Sequence, residues 1–399
     1  MKVLQIHTKY REQGGEDSVV RAEGELLTAA GHEVVTHLAQ NPSGVVRTGA
    51  ALAMSAWNPL AARELRQVAE RVRPDVAHVH NTWYALSPSV LTALAAAAVP
   101  VVMTLHNYRL LCANGYLFRD GHVCEDCVGS HPWHGARHRC YRGSLVASTP
   151  AAGTIALHRA LGTWSRHVRL FLALNDFARS RFIRGGLPAH KIRVKPNFVS
   201  DPGPRPSLPS RSRTILYVGR LEPEKGLDTL LDAWDAWGSS RFELVLVGDG
   251  RLGPALRRRR PAGVQLTGSL PRKEVLALMQ RSRALVFPSV LYEGQPIVVL
   301  EALACGLPIL ASRLGGNAEL LSEDLLVTAG QPAAWTQALR RLEDAGRVDR
   351  AGADARRLYE QRFNEQTARQ LLEEAYRTAL AEEPRRVGPR GRQTETESR

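Results

Sequence analysis

Short apolar runs alternate with amphipathic stretches of helical period along this chain, and the alternation runs through two successive series. In the first, Val3–His7, Val34–His37, Val76–His80, Val101–His106, Leu170–Leu174 and Ile192–Lys195 read as strands. Segments such as Ser18–Ala30 and Pro59–Val72 read as the helices between them. A second series begins at Ile215–Gly219 and continues through Leu244–Gly248, Val264–Gly268, Leu285–Pro288, Pro308–Ala311 and Leu325–Thr328. Repeated βα units of this kind predict an α/β protein with parallel, doubly wound sheets. Ser200–Arg213, rich in Pro and Ser, falls between the series and reads as a linker. The expected organisation is a first Rossmann-like domain over 1–199 with an insert at 107–143, a linker at 200–213, and a second domain over 214–381. A disordered basic tail over 382–399 is expected to follow.

Composition narrows the class. At 399 residues the chain exceeds what one core usually spans, and 44% hydrophobic content suits a globular α/β protein. No window holds eighteen uncharged apolar residues and the N-terminus lacks a signal pattern, so a cytoplasmic protein is expected. The net charge of +14 invites a nucleic-acid reading, but the arginines are spread over both halves without an aromatic–basic ladder. Only Arg257–Arg260 and the tail arginines 385, 386, 390 and 392 cluster. They read as a solvated helix end and terminus, or as basic patches drawn to an anionic membrane face.

Chemistry concentrates in Pro288–Ser312, PSVLYEGQPIVVLEALACGLPILAS. Ala284–Ser289 reads as a buried strand, Glu293-Gly294-Gln295-Pro296 as the turn after it, and Pro296–Cys305 as a helix with Pro in its first turn. This order delivers the Glu293 carboxylate and unpaired backbone amides to the C-terminal edge of a parallel sheet, where such sheets bind ligands. Glu301 follows a turn later, where one carboxylate can accept both hydroxyls of a ribose. Upstream, Arg220 and Lys225 in Val218-Gly219-Arg220-Leu221-Glu222-Pro223-Glu224-Lys225-Gly226 offer a planar fork and a point charge for a departing phosphate. No G-x-S-x-G, H-E-x-x-H or P-loop pattern is present.

Together these residues resemble the retaining family-4 glycosyltransferases of the GT-B fold: Glu293 and Glu301 fit their E-x7-E motif, Val218–Gly226 their phosphate loop, and Gly14-Gly15-Glu16 their N-terminal glycine loop. The resemblance implies two Rossmann-like domains across a cleft, with a last helix crossing back to the first. It also implies a UDP- or GDP-linked sugar as donor and a glycan, lipid-linked or small-molecule acceptor, with no nucleic acid and no catalytic metal. Gly14, Gly15, Arg220, Lys225, Gly294, Gln295 and Glu301 are the implied donor-binding residues. Glu293, Arg220, Lys225 and His106 are the implied reacting-centre residues, His106 lying by the same resemblance near the transferred sugar. His80, Asn81 and Asn107 share its strand-end geometry. The chain departs from the pattern at Gly294-Gln295-Pro296, where many relatives place Phe-Gly. Two other readings are a sugar-nucleotide 2-epimerase of the same fold and a zinc-stabilised nucleic-acid-binding protein on a degenerate transferase.

Cys112, Cys124, Cys127 and Cys140 fall within the loop-rich segment 107–143. Only Cys124 and Cys127 have the short spacing of a zinc knuckle, and a structural zinc, free thiols or a disulfide are the alternatives. His122, His131, His134 and His138 are possible substitute ligands, and Cys305 reads as a small core residue.

Overall fold

A computed structural model describes residues 1–9, 14–259 and 262–381. Arg260 and the basic tail considered above lie outside them. Two six-stranded sheets, all of whose strand pairs are parallel, carry the fold. The first contains β1 (Lys2–Lys9), β2 (Glu33–Gln40), β3 (Val76–Asn81), β4 (Val101–Leu105), β5 (Leu170–Ala173) and β6 (Ile192–Val194) in the order β2-β1-β3-β4-β5-β6. The second contains β7 (Thr214–Val218), β8 (Glu243–Val247), β9 (Val264–Gly268), β10 (Ala284–Phe287), β11 (Ile309–Ser312) and β12 (Leu326–Val327) in the order β9-β8-β7-β10-β11-β12. Every strand expected from the apolar runs is present. Strands β3, β4, β5 and β10 are buried along their whole length, as in sheets covered by helices on both faces; β5 and β10 are accordingly wholly apolar, while in β3 and β4 the buried His78 and Thr104 hydrogen-bond each other.

Strand order reverses beside β1 in the first sheet and beside β7 in the second. At such a switch the connections leave to opposite faces and open a crevice at the carboxyl ends of the strands. The Arg220 and Glu293 loops leave β7 and β10, the pair flanking the second reversal. His106 follows β4, one residue beyond the strand expected to contain it. Pro296 is the N-cap of the helix Ile297–Ala304 and not part of its first turn. Its missing N–H is harmless at either position.

The segment 200–213 is tied down. Arg205 donates to the carbonyls of Cys305, Gly306 and Ser282, Arg356 pairs with Asp201 at 2.6 Å, and Arg283 holds the Ser210 and Ser212 carbonyls. At the C-terminus the helix Glu365–Ala381 lays Leu372, Ala375, Tyr376 and Ala379 on Val3, Val76, Val102 and Leu170 of the first sheet. Its Tyr376 hydroxyl lies 2.8 Å from His78 Nδ1 beneath β3.

Candidate active site

A cleft of about 720 Å³ opens between the carboxyl edges of the two sheets. Its lining includes Gly14, Gly15 and His106 from the first half and Arg220, Lys225, Glu293, Gly294 and Gln295 from the second. All but one of the residues proposed from sequence for the donor or the reacting centre therefore share one cavity.

On the second wall, glycine spacing sets the loop path. Gly226 has φ +72°, and a Cβ there would collide with the Pro288 carbonyl at the end of β10. Gly248, at φ +135°, approaches the Gly219 carbonyl just as closely. Only glycine tolerates both the positive φ and the contact. The short 3₁₀ turn Pro223–Lys225 that precedes Gly226 then aims Lys225 across to the next loop, where Nζ lies 2.6 Å from Glu293 Oε1. Ser289 Oγ donates to the same carboxylate oxygen at 2.7 Å. Lys225 and Glu293 are each 15% exposed, so the pair is shielded yet open to a ligand. Glu222 and Glu224, the carboxylates nearer in sequence, pair with Arg251 instead. Sequence reasoning missed Ser289, for a serine after a strand carries no signal until Glu293 is folded onto it.

On the first wall, His106 is half-buried and its Nε2 lies 3.0 Å from His80 Nδ1, the two rings stacked at 5.3 Å. Burial holds both imidazoles well below the ordinary histidine range, with Lys195 adding to the effect at His106 and His78 and His106 adding to it at His80. His106 is accordingly neutral near pH 7, a group that can donate or accept a hydrogen bond to a sugar hydroxyl. Beneath it Glu23 and Lys195, both sealed from solvent, form an ion pair. Glu23 Oε2 lies 3.7 Å from both His78 and His80.

Four positions depart from their expected roles. Glu301 is 7% exposed, does not line the cleft, and accepts from Arg272 Nε at 2.8 Å. Burial raises its pKa against the opposing pull of Arg272. Gln295 lines the cleft, but its side-chain oxygen accepts from Asn197 N at 2.5 Å and its carbonyl from Asn197 Nδ2 at 3.2 Å, a clasp between the halves. Gly294 belongs to the same seam: its carbonyl accepts from Asn175 Nδ2 at 2.5 Å, and a Cβ would stand 2.9 Å from the His106 carbonyl. The Gly14 amide, expected to face a ligand, donates to Asp17 Oδ2 at 2.9 Å and caps the helix Gly15–Ala29. The next amides of that helix are the ones without intrahelical partners.

The cysteines also converge. Cys112, Cys124, Cys127 and Cys140 line one cavity of about 10 Å³ with His134, the one of the four candidate histidines that reaches it. All four thiols are free. Among the described residues, the grouping of His, Cys or carboxylate side chains whose ligand atoms all lie within 4.8 Å is Glu23–His78–His80, and those groups are engaged by Lys195, Tyr376 and Thr104. The four thiols share their cavity without closing to that spacing. Cys305 is buried, as a core residue should be.

Two parallel-sheet domains with a nucleotide-sized, charged cleft at their facing carboxyl edges define a GT-B enzyme. Residues 13–201 match the family described as Glycosyltransferase Family 4, and residues 212–344 match Glycosyl transferases group 1. The chain is a GT-B glycosyltransferase with a family 4 domain. It is 26% identical to glycogen synthase of Mycobacterium tuberculosis over 95% of either chain. It is 30% identical to O-antigen chain mannosyltransferase B of Escherichia coli over 43% of this chain and 49% of that relative. Among solved structures, Anabaena HepE in complex with UDP superposes with a TM-score of 0.68 at 19% identity, covering 95% of this chain and all of that one.

Proposed function

We propose that this protein transfers a glycosyl group, with retention of anomeric configuration, from a UDP- or GDP-sugar to a glycan or lipid-linked acceptor in polysaccharide or cell-envelope synthesis. The observation that carries this reading is the Lys225–Glu293 pair facing His106 across one cleft. When the bond between the anomeric carbon and the diphosphate breaks, its electron pair leaves on the phosphate oxygen, and Arg220 and Lys225 meet the added negative charge. The acceptor hydroxyl then bonds to the same face of the anomeric carbon, and its proton passes to the departing phosphate oxygen. Glu293, fixed by Lys225 and Ser289, orients the donor sugar, and neutral His106 hydrogen-bonds it from the opposite wall. Glu301, which accepts from Arg272, is assigned to the nucleoside.

The donor assignment draws support from the UDP and UDP-glucose complexes of Anabaena HepE. No helix among the described residues is long and apolar enough to cross a membrane. The reading places the enzyme at the cytoplasmic membrane face, held by its basic surface. The insert cysteines are assigned a structural zinc that takes no part in bond breaking. The test is a donor-by-acceptor screen in which NMR follows the anomeric configuration of product. α-Linked product from an α-linked donor, with initial rates unchanged by EDTA, is expected. Inverted product or a strict requirement for added Mg²⁺ would overturn the mechanism.

A further inference from the structure

The insert does more than decorate the first domain, for it forms part of the cleft wall. Asn114, Tyr116, Tyr141 and Arg142 line the cleft, and each stands within four residues of Cys112 or Cys140. Cys140 itself borders both the cleft and the small thiol cavity. Regular structure in this segment amounts to a hairpin of two-residue strands, Phe118–Arg119 with His122–Val123, and a four-residue helix, His134–Arg137. Segments with so little ladder hydrogen bonding need another constraint to hold a side chain in place.

The wall has a defined chemistry. Tyr116 is 51% exposed and Tyr141 half-buried, so both present ring surface to a ligand. Arg109 lies 5.0 Å over the Trp83 ring and 5.2 Å over Tyr141, and Arg142 lies 5.3 Å over Tyr141. Arg109 Nε is buried without a hydrogen-bond partner among the described residues. A buried unpaired donor is costly, and a ligand oxygen would remove that cost. Aromatic faces suit the C–H faces of a sugar, and guanidinium forks suit a carboxylate or phosphate.

We propose that a zinc ion on Cys112, Cys124, Cys127 and Cys140 pins this wall, and that Tyr116, Tyr141, Arg109 and Arg142 form an acceptor subsite for a glycan carrying an anionic group. The proposal rests on the transferase reading above and names its acceptor. A cavity of about 10 Å³ is the size of a single bound atom. In the structure Cys112 Sγ donates to Asn114 Oδ1 at 3.0 Å and Cys127 Sγ points to the Pro132 carbonyl at 3.9 Å, so ligation asks both side chains to turn away from these partners. Turning Cys112 inward also releases Asn114 Oδ1 to the Tyr116 amide, which it already accepts at 2.9 Å, tightening the turn that carries Tyr116. The anionic group is a uronate carboxylate of the glycan or a diphosphate of a lipid carrier, which share the same recognition by arginine.

The experiment combines metal analysis with calorimetry on the full chain. Purified protein should carry about one zinc per chain, lost in Cys124→Ser/Cys127→Ser. Trigalacturonate, maltotriose and geranyl diphosphate serve as acceptor probes, and UDP as the donor probe. Wild type should prefer trigalacturonate or geranyl diphosphate to neutral maltotriose, the better of the two identifying the source of the anion. Arg142→Gln should weaken that probe by about tenfold, the order of one charge-assisted hydrogen bond, with UDP affinity within about twofold. The cysteine variant should weaken the acceptor probe in the same selective way. UDP binding with no discrimination against maltotriose, or equal losses of UDP and acceptor probe in Arg142→Gln, would overturn the subsite alone. Zinc-free wild type would overturn the metal pin. A wild type that binds no UDP would instead overturn the transferase reading.

Discussion

Two lysine–glutamate pairs stand on opposite sides of the cleft, and their surroundings divide their work. Lys225–Glu293 joins two loops at the cleft and keeps both partners 15% exposed. Lys195–Glu23 lies under the first sheet, both partners sealed, with His78 and His80 3.7 Å from the free carboxylate oxygen. The same two side chains thus make a pair that a ligand can open and a pair that nothing can reach. Exposure separates the two roles: an accessible pair contributes little to stability and much to binding, whereas a buried pair is costly to break.

The comparison breaks first on stability. Glu23→Ala strands a buried ammonium, and removing one member of a buried pair costs about 3–5 kcal/mol. Differential scanning calorimetry should show the melting temperature lowered by on the order of 10 °C. A variant that melts like wild type would mean the pair is hydrated and the contrast false. Lys225→Ala should do the opposite, keeping the melting temperature and lowering turnover by on the order of 100-fold, the range for loss of one preorganised cation or donor. Steady-state kinetics with a UDP- or GDP-sugar decides it, and wild-type turnover would remove Lys225 from the reaction.

Acid sharpens the contrast further. Burial lowers His78 to about 4 and His80 and His106 in the same direction. Groups with a depressed pKa in the folded state bind fewer protons there than when unfolded, so their stability is complete above the unfolded value near 6.5 and drains away as pH falls from there toward about 4. Urea unfolding across this window should lose on the order of 3 kcal/mol from His78 alone, at about 1.4 kcal/mol per unit of depression, with His80 and His106 adding in the same direction. His78→Gln should flatten the slope, and an unchanged slope would place the titration elsewhere. The smallest effect is expected at Glu301, which does not line the cleft. Glu301→Gln should weaken UDP by about fivefold and leave inorganic phosphate binding alone, since one hydrogen-bonded contact is at stake. Equal losses for both ligands would detach Glu301 from the nucleoside.

Much of the second wall was legible because it is local. Apolar runs of four to six residues, each followed by a glycine-bearing turn, place Arg220, Lys225 and Glu293 at strand ends, and a parallel sheet gathers its strand ends on one edge whatever the loops do. The resemblance to family-4 transferases rests on those same short segments. The first wall and the seam between the two halves were less legible. Gly14 was chosen for a free amide that Asp17 occupies, and Gln295 for a ligand contact where Asn197 holds its side-chain oxygen. Both partners are fixed by packing that pairs residues through space.

What the sequence determined by itself is the periodicity: twelve strands, two series, and the chemistry at their ends, because alternation and glycine spacing act within a few residues of chain. What only the tertiary structure decided is which groups meet. Glu23 and Lys195 are 172 residues apart, as are none of the pairs a motif can show, and their contact follows from two elements closing over the same patch of sheet. The cysteines show the same limit at shorter range: their spacing suggests a cluster, but only the folded insert sets Cys140 between the thiol cavity and the cleft. Burial then decides what each meeting is worth, since the same charge pair that water screens at a surface is held tightly once water is excluded.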